Sequence, residues 1–339
     1  MKSKRQSNIE ALRIIAMAFI VLGHVNHTIC NYTLCSEVEK YILDLTSIGV
    51  CSVDLFVLIT GYFLINRPEV NIKRVIKILG ETIFYCFTIT FIFHIFGKAT
   101  LYDCLSSLNP LAPTRFNYWF VTKYIGLILV HPFLSRFAMS LTKLQYKSLL
   151  LVLLLLTTNL TPLFPLGTLF CTGWTLWWFI TLFFVGGYMR LFFDFNNLTI
   201  WKSICVMIIC AILIIYLKDS TIFDCSYNSL ITLILAVATF CTFNKITFKS
   251  DRIIRFITPN VFAVFLIHSH NFFLPYVKQI LDGIEKNMLL ISFFSSIIIY
   301  IFSVLTDKMV KYFAIKLRIY KAEEKIASTI TRKLRLWLS

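Results

Sequence analysis

ALRIIAMAFIVLGHVNHTIC, at residues 11–30, is the first of ten long apolar runs in this chain. It follows the basic residues Lys2, Lys4 and Arg5 and has the ~20 residues that a helix needs to cross ~30 Å of hydrocarbon. Because the run also carries polar residues of functional type, we expect a retained helix and not a cleaved signal peptide. The other runs span 46–66, 75–97, 117–138, 147–165, 174–194, 200–217, 224–243, 258–278 and 288–313.

The composition supports a membrane protein throughout. Of 339 residues, 58% are hydrophobic and 15% are charged, with a mean hydropathy of +0.77. A soluble domain of this size could not bury that much apolar surface. We therefore predict an all-α, polytopic integral membrane protein with about ten transmembrane helices in the plasma or inner membrane, in contact with lipid. The net charge of +16 does not indicate nucleic-acid binding, because the basic residues lie in short segments between apolar runs.

The distribution of basic residues predicts the orientation. With the N-terminus in the cytoplasm, 25 of the 33 Lys and Arg residues fall in inside segments and 6 in outside segments. This asymmetry follows the positive-inside rule and places both termini in the cytoplasm. We predict a transmembrane domain over 1–315 and a basic cytoplasmic tail over 316–339. The tail is either solvated or an amphipathic helix on the inner leaflet.

Ionisable residues inside the spans are candidates for a catalytic site, because charge within a bilayer is costly. Arg13 and His24 are eleven positions apart, which is close to three full helical turns, so both point to one side, with Glu10 nearly in line. Asp54 in the second span lies at a similar depth to His24, where it could orient the imidazole. The alternatives are a Glu10–Arg13 pair, a structural His24 between helices, and an Asp54 that caps or packs a helix.

Histidine titrates near neutral pH, so His24 is suited to take a proton from a poorly nucleophilic hydroxyl. The sequence leaves open whether it acts as a general base or forms a transient covalent intermediate. Arg13 would hold a substrate nearer the cytoplasm or pair with Glu10. The ten cysteines are scattered and show no metal-binding spacing. Cys30 and Cys35 are the pair close enough in sequence for an external disulfide, although we expect most cysteines to be small apolar helix residues.

A basic cluster stands at the inner end of the hairpin between the second and third spans. It consists of Arg67, Lys73, Arg74 and Lys77. Such a cluster is typical of a phosphate-binding site. The alternative is ordinary positive-inside charge.

These residues together resemble the acyltransferase 3 family of membrane O-acyltransferases, over essentially the whole chain. The matching elements are Ile9–Arg13 with Val21–Val25, Val53–Phe56 with Thr60–Ile65, Lys73-Arg74-x-x-Lys77, Asn117–Phe120 with Tyr124, and Phe265–His268. The chain departs from the family pattern in several places. Thr60, Tyr62, Lys73, Lys77 and Ser269 replace Ser, Phe, Arg, Arg and Pro.

The resemblance implies a reaction and its participants. It implies transfer of an acyl group, most often acetyl, from cytoplasmic acyl-CoA to a hydroxyl of a cell-envelope or exported glycan. Acyl-CoA would be a co-substrate and no cofactor would be bound permanently. His24 would be the central catalytic residue, as a general base or as a carrier of the acyl group, and Arg13 would fix the donor or pair with Glu10. The CoA phosphates would bind the basic cluster of Arg67, Lys73, Arg74 and Lys77. Trp119, Tyr124 and His268 would line the substrate path.

Two other functions fit the same spans. A transporter or flippase for a lipid-linked glycan or small metabolite would also need about ten helices and buried charges. No repeat between the two halves of the chain is visible, which disfavours the common transporter plans. A non-catalytic partner or sensor is the second alternative, but it would not need the full set of polar residues.

Overall fold

The computed structural model describes most of the chain. The described residues are 6–29, 35–111, 118–159, 172–217, 226–248, 251–281, 287–316 and 328–331. Within them the protein is all-helical, as predicted, and the extended contact is an isolated parallel bridge between Asn159 and Ser229. Cys30, Asn117 and most of the predicted tail beyond Lys316 lie outside these ranges, so the disulfide and the tail stay predictions.

Fourteen α-helices and two 3₁₀ turns make up this described part. The helices are α1 Ser7–Ile29, α2 Glu37–Asp44, α3 Cys51–Leu64, α4 Ile72–Ile95, α5 Leu101–Ser107, α6 Trp119–Ser140, α7 Lys143–Thr157, α8 Leu176–Leu191, α9 Ile200–Leu217, α10 Leu230–Lys245, α11 Arg252–Ile257, α12 Val261–His268, α13 Phe273–Ile280 and α14 Met288–Lys316. The 3₁₀ turns are Leu45–Val50 and Thr258–Asn260. Each of the ten predicted runs therefore contains a helix.

The long apolar helices indicate a membrane protein. Five described helices are long and apolar enough to cross a bilayer, namely α1, the Thr46–Leu64 segment that includes α3, α4, α9 and α14. A sixth span results if α11–α12 and α13 count as one. Helices α8 and α10 are apolar but have 16 residues each, which is about 24 Å. The count of ten crossings and their orientation stay predictions.

The ninth predicted run is not a continuous helix, which corrects the prediction of an unbroken span over 258–278. The chain bends by 73° between α12 and α13, so α12 ends at His268. The connecting turn closes its own backbone hydrogen bonds, from the Ser269 amide to the Phe265 carbonyl and from the Phe273 amide to the His270 carbonyl. The break therefore places His268 at the C-terminal end of a half-helix, where it is fully buried.

Helices α3 and α8 cross at very short range because both present glycine at the contact. A Cβ atom on Gly61 would collide with the Phe183 backbone, and one on Gly186 would collide with the Leu58 carbonyl. Gly61 is therefore a close-packing position between the two helices. The crossing anchors the second span against α8, so that α3 presents its other residues to α1 and α6.

Candidate functional site

One cavity of about 630 Å³ lies between α1, α3, α4, α6 and α12. Its volume is in the range of small-molecule binding sites. Arg13, Met17, Ile20 and His24 of α1 all line it, at spacings of three or four residues that form one helix face. Arg13 and His24 therefore face the same space, as their spacing predicts, and are separated by about 16 Å along the helix.

His24 is hydrogen-bonded to a second histidine from the far end of the chain. Its Nδ1 lies 3.0 Å from Nε2 of His268, and Nδ1 of His268 lies 2.5 Å from the Val264 carbonyl oxygen. A carbonyl oxygen only accepts, so Nδ1 of His268 carries the hydrogen, and in the neutral imidazole its Nε2 is then the acceptor. His24 then donates from Nδ1, which leaves a lone pair on Nε2 of His24. The Ser269 hydroxyl lies 3.3 Å from the same His268 Nε2.

Asp54 and His24 make no hydrogen bond to each other in the described residues, so the orienting contact that was predicted between them is not present, and a catalytic role for Asp54 stays a prediction. Its Oδ1 instead accepts a 3.0 Å hydrogen bond from the Trp178 indole N–H, and both side chains are fully buried. The two residues lie on α3 and α8, the helices that the glycine contact brings together. A carboxyl group in apolar surroundings needs such a donor, so Asp54 packs and fixes this crossing. His268, and not Asp54, makes the hydrogen bond to the His24 ring that could orient it.

The predicted donor-binding cluster divides into two parts. Arg74 and Lys77, one turn apart near the start of α4, line the cavity, and Arg13 lines it too. Arg67 is exposed in the turn after α3, Lys73 is exposed on α4, and neither is among the residues that line the cavity. Two of the four predicted cations therefore face the candidate site.

Arg74 is held by a short chain of polar contacts. Its Nη2 donates a short hydrogen bond to the Tyr124 hydroxyl, which lies 3.1 Å from the Thr60 hydroxyl. Thr60 in turn donates to the Phe56 carbonyl at 2.9 Å. A guanidinium has five N–H donors and this chain uses one of them. Tyr124 thus positions Arg74 at the cavity wall, which gives a structural role to a residue predicted on the substrate path.

The remaining predicted residues take different positions. Trp119 lines the cavity together with Tyr227, whereas Glu10 lies one turn before Arg13 and is not among the lining residues. Glu81 lines the cavity and forms a 3.7 Å ion pair with Lys77. The sequence did not indicate that Tyr227 and Glu81 line the cavity, since an isolated tyrosine or glutamate gives no specific signal.

The comparisons with known proteins identify one match. A family described as an acyltransferase domain matches residues 6–308, nearly the whole chain. No curated protein and no solved structure matches this chain in the comparisons. In the described residues no group of three or more His, Cys, Asp or Glu side chains could hold a metal ion.

Proposed function

Because the chain belongs to this acyltransferase family, we propose that it is a membrane O-acyltransferase that moves an acyl group, acetyl in the simplest case, from cytoplasmic acyl-CoA to a glycan hydroxyl. The observation that carries this proposal is the shared cavity, which is lined by Arg74, Lys77 and His24. A CoA thioester joins a phosphate-rich nucleotide to a distant reactive carbonyl. The cavity offers the cations of Arg74 and Lys77 for the nucleotide phosphates and the imidazole of His24 for the reaction at the thioester carbonyl.

The proposed step uses the lone pair on Nε2 of His24. The acceptor hydroxyl gives its proton to this nitrogen as its oxygen forms a bond to the thioester carbonyl carbon. The tetrahedral intermediate then collapses, the C–S bond breaks, and the CoA thiolate leaves and takes up the proton from His24. The products are an O-acyl ester and free CoA, with His24 returned to its starting state.

His268 supports this step without touching the reacting atoms. Its Nε2 holds the hydrogen of His24 on Nδ1, the nitrogen that faces away from the proposed chemistry. When Nε2 of His24 takes the proton, the imidazolium still donates to His268. The half-helix α12 ends at His268, and a helix C-terminus favours nearby positive charge. His268 is therefore a positioning residue in this proposal.

Arg13, Arg74 and Lys77 bind the donor in this proposal. The separation of about 16 Å between Arg13 and His24 along α1 leaves room for an extended arm between the phosphate groups and the thioester. The acceptor would enter from the opposite end of the cavity, where Trp119 and Tyr227 lie. Donor and acceptor would thus meet at His24 without sharing an entrance.

The test is acyl transfer by the purified full-length protein in lipid nanodiscs, with radiolabelled acetyl-CoA and release of CoA as a second readout. His24→Ala should lower turnover by at least about a hundredfold, the lower end for loss of an acid–base catalyst. The matched control is His27→Ala, one turn further along α1 on an exposed position, which should keep near wild-type turnover.

A well-folded His24→Ala protein with wild-type turnover would refute the mechanism. If instead the wild-type protein itself releases no CoA, the transporter alternative gains support. Acid quenching followed by detection of label on the protein separates the two uses of the lone pair. Label that depends on His24 would indicate an acyl-histidine, and its absence during turnover a general base.

A further inference from the structure

Three aromatic side chains from three different helix starts form a cluster at one end of the cavity. The Trp119 and Trp174 rings have centroids 4.3 Å apart, and Trp174 meets Tyr227 edge-on at 5.1 Å. Trp119 and Tyr227 are 5.9 Å apart, which closes the triangle. Trp119 and Tyr227 line the cavity, and Trp174 is 48% exposed beside them. We call these three residues the aromatic platform.

The platform lies away from the cationic end. Trp119 is in the first turn of α6, five residues before Tyr124, the partner of Arg74, which is about 7.5 Å further along that helix. Trp174 and Tyr227 lie just before α8 and α10. The starts of α6, α8 and α10 are all predicted on the extracytoplasmic side, whereas Arg74 is predicted on the cytoplasmic side.

The platform is held in place by its neighbours. A Cβ atom on Gly173 would lie 2.5 Å from the Cβ of Tyr227 and 3.0 Å from the Asn228 nitrogen, so the two loops touch where a side chain cannot fit. The Asn228 side-chain amide donates to the Thr157 backbone carbonyl at 2.9 Å. The Asn159 backbone N–H donates to the Asn228 backbone carbonyl at 2.8 Å. The loop that carries Tyr227 is therefore pinned to the end of α7.

Interfacial aromatics often serve only as anchors in the lipid headgroup region. That role does not account for Trp119 and Tyr227, which face the interior cavity. Nor does the platform suit the adenine of acyl-CoA, because the platform is predicted on the extracytoplasmic side, whereas acyl-CoA is supplied from the cytoplasm and its phosphates are assigned to Arg74 and Lys77 in the proposed function. A ligand at the platform therefore needs a flat apolar face that packs on the aromatic rings, and its recognition does not depend on cations.

We propose that the aromatic platform binds a pyranose ring of the acceptor, an inference that rests on the proposed function and specifies its acceptor class. One face of a pyranose presents C–H groups, which pack on the electron-rich faces of Trp and Tyr. Its hydroxyls project from the rim of the ring, and in this proposal one of them meets the lone pair of His24, which lines the same cavity. Neutral sugars therefore match both the chemistry and the position of the platform.

The experiment measures acetyl transfer from radiolabelled acetyl-CoA to a panel of methyl β-glycosides of glucose, galactose and N-acetylglucosamine, with the full-length protein in nanodiscs. Trp174→Ala should raise the half-saturating glycoside concentration by about tenfold or more, the effect expected when an aromatic anchor is lost. It should leave the KM for acetyl-CoA unchanged. Trp174→Phe, which keeps an aromatic face, should recover most of the affinity.

Trp177→Ala is the matched control, because Trp177 lies three residues later and is 62% exposed, and within the described residues it makes no ring contact with Trp119 or Tyr227, whereas Trp174 contacts both. It should leave the glycoside dependence unchanged. Two results would refute the sugar-binding role of the platform without refuting the proposed acyltransferase function. The first is an equal glycoside dependence in Trp174→Ala and the wild type. The second is no response to any glycoside while acetyl-CoA is still hydrolysed. If neither hydrolysis nor transfer occurs but glycosides quench tryptophan fluorescence in a Trp174-dependent way, the platform stands and the proposed reaction fails.

Discussion

Replacing His268 with leucine removes the acceptor for the Nδ1–H of His24 and keeps a side chain of similar size at a fully buried position. A buried donor that loses its partner costs about 1–3 kcal/mol. His24 can avoid this cost by moving the hydrogen to Nε2, but Nε2 can then no longer accept a proton. If that energy is the cost of keeping the reactive tautomer, turnover should fall by about 5- to 150-fold.

The assay is kcat and KM for acetyl-CoA, measured with the purified variants in nanodiscs. We expect His268→Leu to lower kcat and leave KM unchanged, because the cationic end of the cavity is about 16 Å away along α1. In His268→Gln the amide oxygen reaches the region of the missing Nε2 and can accept the hydrogen bond, so most of the turnover should return. Wild-type kcat in a folded His268→Leu protein, or equally slow Leu and Gln variants, would refute the tautomer argument.

Two further predictions concern the donor end and the topology. The double variant Arg74→Gln with Lys77→Gln should raise the KM for acetyl-CoA by at least about tenfold, with a larger effect at low salt. The control is Arg67→Gln with Lys73→Gln, which removes the same charge outside the cavity. An equal increase in KM in both double variants would show that only the total charge matters. For the topology, single cysteines are placed in a background without native cysteines, at Glu39, Asp103 and Asp219, which are predicted outside, and at Lys143 and Lys249, which are predicted inside. In intact cells an impermeant reagent should label only the outside positions, because alternating spans expose only the outer loops. Labelling of the cysteine at position 249 would refute the ten-span topology.

The helices were predictable because each apolar run identifies itself locally by length and composition. The break after His268 was not predicted, because the run 258–278 has the length and the mostly apolar composition of a single crossing. The four polar residues His268-Ser269-His270-Asn271 stand where the helix ends and are the local signal for the break. Several helix starts do carry local signals that the structure uses. Capping side chains accept a backbone hydrogen bond from the helix that follows at Asn71, Thr100, Thr142, Thr175 and Ser229, among others.

Within the site, the sequence determined that Arg13 and His24 share a helix face, because both lie on one helix with a fixed angle of rotation per residue. Only the tertiary structure decided their partners. His268 lies 244 positions from His24, and Asp54 is paired to Trp178 although its depth predicted a contact with His24. The physical reason is that helical periodicity fixes direction within one helix, whereas the contacts between helices depend on which faces pack closely, as Gly61 and Gly186 allow for α3 and α8.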